Sequence, residues 1–288
     1  MERIDQVKGI LLGVLSLTVF FFIWQLIAWS LNSPFLPGPY EVLQAFGRIS
    51  TTGDIDGYTL PSHSLTSIYR VALGFGFAGL TAIPLGVFMG LKSSVRSLST
   101  PIIEPIRFIP PIAWIPLSII LLSGLWRYIF LIWIGAFFPI LLNTIAGVKR
   151  TSPVLVDMAK TFGADSSTIT SRIVFPSALP EIMSGLRVGL GVGWMCIVAA
   201  EMIGGDPEGL GRLIIKYANL LQIDVVIVGM IAIGIIGLVL NYGILTVLRH
   251  KGFSSEAILY ALIRGEQNKG DCEGRRVWIP ARQAEGGD

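Results

Sequence analysis

The stretch DMAKTFGADSSTITSRIVFP, residues 157–176, is the longest polar segment between the hydrophobic runs of this chain. Just before it, Ser152 suits a helix N-cap and Pro153 suits a first helical turn. Gly163 suits the left-handed residue that often ends a helix. These signals predict one short helix over residues 153–162.

The predicted helix has an apolar face, whereas Asp157, Lys160 and Thr161 point elsewhere. The apolar residues that recur at helical spacing are Val154, Leu155, Met158, Ala159 and Phe162. This pattern suits a helix that lays one face in a partner's groove; the alternative is a cytoplasmic helix resting on the bilayer. A second short helix is predicted from about Ser167 to Val174, ending at Pro176.

The composition is that of a membrane protein. Of the 288 residues, 52% are hydrophobic and 14% are charged, and the mean hydropathy is +0.69, which is too apolar for an ordinary soluble domain. The net charge of +3 is small and the basic residues are scattered, so nucleic-acid binding is not indicated. Cys196 and Cys272 form no CxxC pair, and no metal site is expected.

Six apolar runs are about long enough to cross a bilayer as helices. They are, approximately, residues 10–31, 67–91, 101–122, 126–148, 180–203 and 224–248. The predicted organisation is an N-terminal span with an external interfacial segment (1–66), a core of five spans with a cytoplasmic loop at 151–177 (67–250), and a polar cytoplasmic tail (251–288).

Lysine and arginine indicate the orientation. With the N-terminus inside, the cytoplasmic segments hold Arg3, Lys8, Lys92, Arg96, Lys149, Arg150, Lys160, Arg172, Arg249 and Lys251. The external segments hold Arg48, Arg70, Arg127, Arg212 and Lys216. The excess lies inside, as the positive-inside rule requires, so both termini and the polar stretch are predicted to be cytoplasmic.

The third predicted span is rich in proline. It contains Pro101, Pro105, Pro110, Pro111 and Pro116. Because an internal proline removes a backbone donor and crowds the preceding turn, a continuous regular helix is not expected there. Irregular backbone at membrane depth is tolerated only against protein or a water-filled path, so this span is predicted to face inward.

A few charged residues lie inside the predicted spans. Glu104, Arg107 and Arg187 share one layer near the cytoplasmic end, where an isolated charge would be costly. We expect Arg187 to pair with Glu104 across helices, leaving Arg107 free to attract an anion; the alternative is a purely structural cluster. Glu201, near the external end, is expected to pair with a basic residue or a backbone donor, or else to shape an external gate.

The second predicted span contains Gly74-x-Gly76-x-x-Gly79, the spacing of a dinucleotide-binding loop. That loop requires a preceding strand, whereas these glycines lie within an apolar helix. They are therefore interpreted as small residues that allow close helix packing.

The polar stretch resembles the EAA motif of the membrane subunits of bacterial and archaeal ABC importers: E-A-A, three residues, G, nine residues, I-x-L-P. The matching positions are Asp157-Met158-Ala159, Gly163 and Ile173-Val174-Phe175-Pro176. Asp replaces Glu, Met replaces the first Ala, and Phe replaces Leu. In that family the loop is the coupling helix that docks on the ATP-hydrolysing subunit. The resemblance thus implies a coupling role for Asp157, Met158, Ala159, Phe162, Gly163, Ile173 and Pro176.

Two further runs resemble the nitrate, sulfonate, taurine and bicarbonate importer subfamily. Residues 107–117 follow its R-x-x-P-P-x-A-W-x-P-L pattern, although Leu122-Ser123-Gly124 replaces the usual Phe-Gly. Residues 185–202 follow its G-L-R-V, W and A-A-E-M pattern. With the charges above, the predicted translocation path or gate comprises Glu104, Arg107, Pro110, Pro111, Trp114, Arg187, Trp194 and Glu201. For the two tryptophans, packing or interface anchoring is the alternative.

The resemblance implies an all-α membrane protein of six transmembrane helices with the fold of a type I ABC importer permease, in the cell (inner) membrane. It implies two permease copies, ABC ATPase subunits and an external binding protein that delivers a small anion, with alternating access as the mechanism. The sequence contains no G-x-x-x-x-G-K-[ST] loop, so the chain is not expected to be an enzyme. ATP and Mg would bind to the partner ATPase.

An ion-coupled secondary transporter acting without an ATPase is the alternative function. Such carriers place paired ionisable groups or unwound helices near the membrane midplane. None of the charges recognised in the spans is clearly central, and such a carrier has no need of a docking loop. The sequence therefore favours the importer permease.

Overall fold

The computed structural model describes residues 2–31, 33 and 35–250, with side chains described at residues 9, 11–31, 33 and 35–243. The predicted tail, residues 251–288, lies outside the described residues. The described part of the chain is helical and contains no strand. Its helices are α1 (Glu2–Leu31), α2 (Pro39–Thr51), α3 (Leu60–Leu91), α4 (Ser93–Arg107), a 3₁₀ turn (Pro111–Trp114), α5 (Ile115–Leu121), α6 (Leu125–Lys149), α7 (Pro153–Thr161), α8 (Ser166–Ile169), a π turn (Thr170–Val174), α9 (Phe175–Gly204), α10 (Leu210–Asn219) and α11 (Ile223–His250).

Five of the helical segments are long and apolar enough to cross a membrane. They are Leu11–Leu31, Leu60–Leu91, Leu125–Lys149, Ser166–Gly204 and Ile223–Gly243. The pair Ser93–Arg107 and Pro111–Leu121 passes the same test together, but its two arms meet at an angle of 86°. With the bent pair as one broken span, the six predicted spans are confirmed.

The third span is broken, as its prolines predict. Pro101 and Pro105 lie inside α4 without ending it. The chain leaves the helix only after Arg107, where Pro110 and Pro111 remove two backbone donors in succession. The turn at residues 108–110 therefore separates α4 from the segment that leads into α5.

The second span begins earlier than predicted. α3 starts at Leu60 rather than near residue 67, because Thr59 caps it and Pro61 suits its first turn. The N–H of Ser62 donates to Thr59 Oγ1 at 3.4 Å. Arg70, counted with the external loops in the sequence, therefore lies well inside this helix.

The prediction that the helix after Gly163 ends at Pro176 is wrong. α8, the π turn and α9 form one span, Ser166–Gly204. Pro176 has no N–H to donate to the preceding turn, and the wider π turn accommodates its ring. The fifth span thus begins before the predicted Pro180 and is continuous with the loop.

α6 is the central helix, and glycines bring its neighbours close. A Cβ added at Gly74 of α3 would lie 2.6 Å from the Cβ of Ile132, and one added at Gly189 of α9 would lie 2.9 Å from Cγ1 of Ile140. Close packing by Gly74 is therefore confirmed, whereas Gly76 has no described atom within 4 Å of such a Cβ. Small residues at helix contacts let backbones approach closely in membranes. This packing fixes the charged residues of α3 and α9 relative to α6.

Candidate functional site

The polar stretch forms the short helix that its sequence predicts. α7 covers Pro153–Thr161, and Phe162 occupies its C-cap. Ser152 occupies the N-cap position, but within the described residues its side chain makes no capping hydrogen bond. The predicted bounds, 153–162, are therefore correct to within one residue, while the role of the Ser152 hydroxyl is not observed.

The C-terminal end of α7 is closed by backbone geometry. Gly163 has a φ of +79°, which confirms the predicted left-handed conformation. Its N–H donates to Lys160 O at 2.9 Å, and the N–H of Ala164 donates to Ala159 O at 3.0 Å. These two bonds form a Schellman motif. The direction in which the chain leaves α7 therefore depends on Gly163.

α7 presents an apolar surface to solvent. We call the set Val154, Leu155, Met158 and Phe162 the α7 face, with exposed fractions of 64%, 40%, 52% and 78%. Ala159, predicted to belong to this face, instead packs with Val156 against the core under the loop. Asp157 lies on the polar side, 3.3 Å from Lys160 Nζ. No described part of the chain covers the α7 face, and exposed apolar patches mark contacts with another protein or with a membrane surface.

The base of α7 is anchored to the membrane helices. The core under it contains Val148 of α6 with Ala178 and Ile182 of α9. Ile173 lies in the π turn and Pro176 in the first turn of α9, next to Val174 and Ala178 of this core. α7 is therefore in packing contact with the ends of α6 and α9.

The loop after α7 is also fixed by hydrogen bonds. The carboxylate of Asp165 caps α8 by accepting from the Ser167 N–H at 3.3 Å. A hydrogen bond from the Thr168 side chain, with backbone N–H donors, lowers the pKa of Asp165. Asp165 therefore stays ionised at neutral pH, as a cap at a helix N-terminus favours.

The charges near the bend pair differently from the prediction. Arg107 donates to Glu104 Oε2 from Nε at 2.9 Å and from Nη2 at 2.7 Å. Arg187 donates from Nε to Asn241 Oδ1 of α11 at 2.9 Å. The predicted Arg187–Glu104 pair is therefore wrong, because α4 remains helical through Pro105 and keeps its own i,i+3 pair together. The charge of Arg107 is therefore neutralised by Glu104, whereas Arg187 is hydrogen-bonded to the uncharged amide of Asn241.

Two prolines and two tryptophans are also predicted path residues. Pro110 and Pro111 form the bend, and Trp114 follows it with its ring 6.2 Å from that of Phe130. Trp194 is 7% exposed and donates from Nε1 to Ile233 O at 3.2 Å. Trp194 therefore packs between α9 and α11, the alternative that the sequence allowed.

Glu201 is buried in a polar cluster at the external end. It accepts from Arg70 Nη1 at 2.8 Å, from Ser67 Oγ at 2.9 Å and from the N–H of Gly211 at 3.0 Å. Pairing with a basic residue and a backbone donor is thereby confirmed. Arg70 and Ser67 were not predicted as partners of Glu201; the helix start at Thr59-Leu60-Pro61 is the sequence signal that places them inside α3.

The cluster joins the outer ends of several helices. Asp206 Oδ2 lies 3.2 Å from Arg70 Nη2, and its Oδ1 accepts from Arg127 at 3.0 Å. The Arg70 guanidinium also stacks on the ring of Tyr128, 4.0 Å from its centroid. These contacts fix the segment between α9 and α10 against α3 and α6.

Comparison with known proteins identifies the family. Residues 82–250 match the model for the binding-protein-dependent transport system inner membrane component. A putative ABC transporter permease of Methanocaldococcus jannaschii is 45% identical over 228 residues, covering 77% of this chain and 84% of that protein. The taurine transport system permease protein of Escherichia coli is 37% identical, covering 82% and 87%. The nitrate import permease protein of Synechocystis sp. is 33% identical, covering 78% and 83%.

These matches span most of the chain, and the helical architecture with its broken third span agrees with them. The chain therefore belongs to the family of binding-protein-dependent transport system inner membrane components, the multi-pass permease subunits of ABC importers.

Proposed function

We propose that two copies of this chain form the translocation path of an ATP-driven importer for a small anion, with the α7 face docked on an ATPase subunit. The observation that carries the proposal is the α7 face itself. It is apolar and solvent-exposed, and it directly follows the basic cytoplasmic end of α6. A partner groove is the environment that removes such a face from water.

The ATPase is a separate subunit in this proposal. The sequence contains no P-loop run, so ATP and Mg would be bound by the partner. Closure of two ATPase subunits around ATP would displace both α7 helices. Because α7 is packed on the ends of α6 and α9, its displacement would be passed on to the helices that line the path. The path would then close on one side of the membrane and open on the other.

The position of the second copy follows from exposed charge. Glu104, Arg107 and Arg187 lie on membrane-spanning segments, yet their side chains are at least partly exposed on the single chain. Charges in that position are costly against hydrocarbon and face protein or a water-filled cavity instead. A second copy packed over the surface of α4 and α9 would enclose such a cavity.

The substrate class rests on the relatives. The names of similar permeases specify taurine, nitrate and bicarbonate. All three substrates carry an oxyanion group, and an exposed arginine in the path suits such a group. An external binding protein would select the anion and deliver it to the outer ends of the helices.

Reconstitution tests the proposal. Permease, ATPase and binding protein are placed in proteoliposomes, and uptake of labelled taurine, nitrate and bicarbonate is measured with and without ATP. We expect uptake of one of these three compounds only when ATP and the binding protein are both present. Uptake driven by an ion gradient without ATP or an ATPase would contradict the proposal and support a secondary transporter.

A further inference from the structure

A cavity lies between the cytoplasmic ends of α3, α4 and α6, away from the α7 face. Its volume is about 330 Å³. Its base is apolar, with Met89, Leu142 and Ile145, and Met89 and Ile145 are buried. Arg96 and Lys149 lie among its lining residues. The cavity thus combines an apolar base with two cationic side chains.

Both cations are without a partner inside the described part of the chain. Neither the Arg96 guanidinium nor the Lys149 ammonium makes a hydrogen bond or an ion pair there. By contrast, Arg150, the next residue after Lys149, forms an ion pair with Glu181. Because two unpaired cations share one concave site, their combined positive potential attracts an anion.

The one carboxylate in the lining does not cancel this charge. Glu104 Oε2 accepts two hydrogen bonds from Arg107, at 2.7 and 2.9 Å. Its negative charge is therefore already matched by a cation outside the lining. The positive charge of Arg96 and Lys149 remains available to a ligand.

We propose that this cavity binds a single oxyanion group, held between Arg96 and Lys149 above the apolar base. The group is a phosphate, sulfonate or carboxylate, carried either by an anionic phospholipid of the cytoplasmic leaflet or by a small free anion. Arginine offers a planar pair of N–H donors to two oxygens, and lysine adds a further donor. The volume is at the small end of the range for ligand sites.

An occupant of this site would connect α4 to the base of α7. Arg96 lies in the first turn of α4, whereas Lys149 is the last residue of α6 and α7 begins at Pro153. A bound anion would therefore join the broken span to the helix that precedes α7. The lining shares Glu104 with the proposed path, but Arg96 and Lys149 are not path residues, and binding is measured without transport.

The binding test uses the purified full-length permease in a neutral detergent, after lipid removal. The melting temperature is followed while a short-chain phosphatidylglycerol, the matching phosphatidylcholine, or sodium sulfate against sodium chloride at constant ionic strength is added. A saturable rise with phosphatidylglycerol but not phosphatidylcholine or sulfate assigns the site to a lipid headgroup. A saturable rise with sulfate assigns it to a free anion.

Substitutions locate the binding. Arg96→Gln and Lys149→Gln should each weaken the saturable effect about tenfold or more, since each removes a charge-assisted contact. Lys92→Ala is the matched control, because Lys92 lies on the same side, outside the lining, and should leave the affinity unchanged. Arg96→Lys should restore part of the loss. Absence of a saturable rise with either ligand, or an equal loss in Lys92→Ala, would overturn the proposal.

Discussion

Arg70 of α3 and Glu201 of α9 form an ion pair with 2.8 Å between Nη1 and Oε1, and their side chains are only 8% and 0% exposed. The carboxylate also accepts from Ser67 Oγ and from the Gly211 N–H. A buried charge is stable only while its partners remain in place. The pair therefore couples the outer ends of α3 and α9 to the start of α10.

Removal of one member of this pair should destabilise the permease. Arg70→Met leaves the Glu201 carboxylate buried without its cation, which costs about 3–5 kcal/mol in comparable cases. We expect a clear fall in the melting temperature of the purified protein. Glu208→Gln is the matched control, because Glu208 is only partly buried and bonds to the hydroxyls of Ser62 and Thr66. An Arg70→Met protein with the same melting temperature as the wild type would show that the pair is dispensable for stability.

Gly163→Val should uncouple ATP hydrolysis from transport without preventing membrane insertion. Gly163 has a φ of +79°, which a β-branched residue strongly disfavours, and no described atom lies within 4 Å of an added Cβ. The cost is therefore conformational rather than steric, of the order of 1–2 kcal/mol or more. Binding-protein-stimulated ATP hydrolysis in the reconstituted complex measures the effect. Gly163→Asn should keep most of the stimulation, because asparagine tolerates this conformation better than valine does. Full stimulation in Gly163→Val would contradict the coupling role of α7.

A charge reversal should identify the true partner of Glu104. Glu104→Arg and Arg107→Glu should each lower complex yield and transport, and the double substitution should recover part of the loss because the i,i+3 pair is restored in reverse. Glu104→Arg with Arg187→Glu should show no such recovery, since Arg187 bonds to Asn241. A double-mutant cycle on both pairs gives the coupling energies, about 0.2–0.5 kcal/mol for an exposed helical pair and more in a site shielded from water. Recovery in the Arg187 pair alone would reverse this assignment.

The external loop should be sensitive to acid through Asp54. Burial raises the pKa of Asp54, but the hydrogen bond and charge of Lys216 and the N–H of Tyr58 outweigh it, so its pKa lies below the ordinary value of 3.8. Burial lowers the pKa of Lys216, but the bonds to Asp54 and Asp56 raise it above 10.5. The contribution of the ionised Asp54 to the free energy of unfolding is thus fully present above pH 3.8 and is lost as the pH falls further. The contribution of the charged Lys216 is lost as the pH rises above 10.5.

Melting temperatures across this range test the pair. Asp54→Asn should have a lower melting temperature than the wild type at pH 7. The difference between the two melting temperatures should shrink as the pH falls below 3.8. The buried carboxylate of Asp54 lies 2.6 Å from Lys216 Nζ, while the side chain of Asp56 is 44% exposed. Asp56→Asn should therefore have the smaller effect. A difference independent of pH would exclude ionisation of Asp54 as its cause.

Local sequence signals predicted the loop well. The start near Pro153 and the left-handed Gly163 follow from backbone chemistry that neighbouring residues control, and both are observed. The end at Pro176 was wrong because a π turn, which depends on packing beneath the loop, lets the helix continue. Similarly, the six-span pattern follows from hydropathy, while the 86° bend angle depends on tertiary contacts.

The charged pairs were less predictable. The i,i+3 spacing of Glu104 and Arg107 is visible in the sequence, whereas the continuation of α4 through Pro105, which keeps the pair together, was not expected. Arg70 was missed because a shift of the α3 start from residue 67 to Leu60 changes which side chains count as buried. The Arg70–Glu201 contact joins residues 131 positions apart, and sequence periodicity does not specify such a pairing.

Copurification of the ATPase tests the central claim most directly. The permease, coexpressed with its ATPase and purified in a gentle detergent, should carry the ATPase in fixed stoichiometry. Phe162→Asp places a charge at the C-terminal end of the α7 face, where Phe162 is 78% exposed, and should remove the ATPase while the permease itself remains folded. Lys160→Gln, on the other side of α7, should retain it. Equal recovery of the ATPase with Phe162→Asp, or a wild-type permease that transports without any ATPase, would contradict the account.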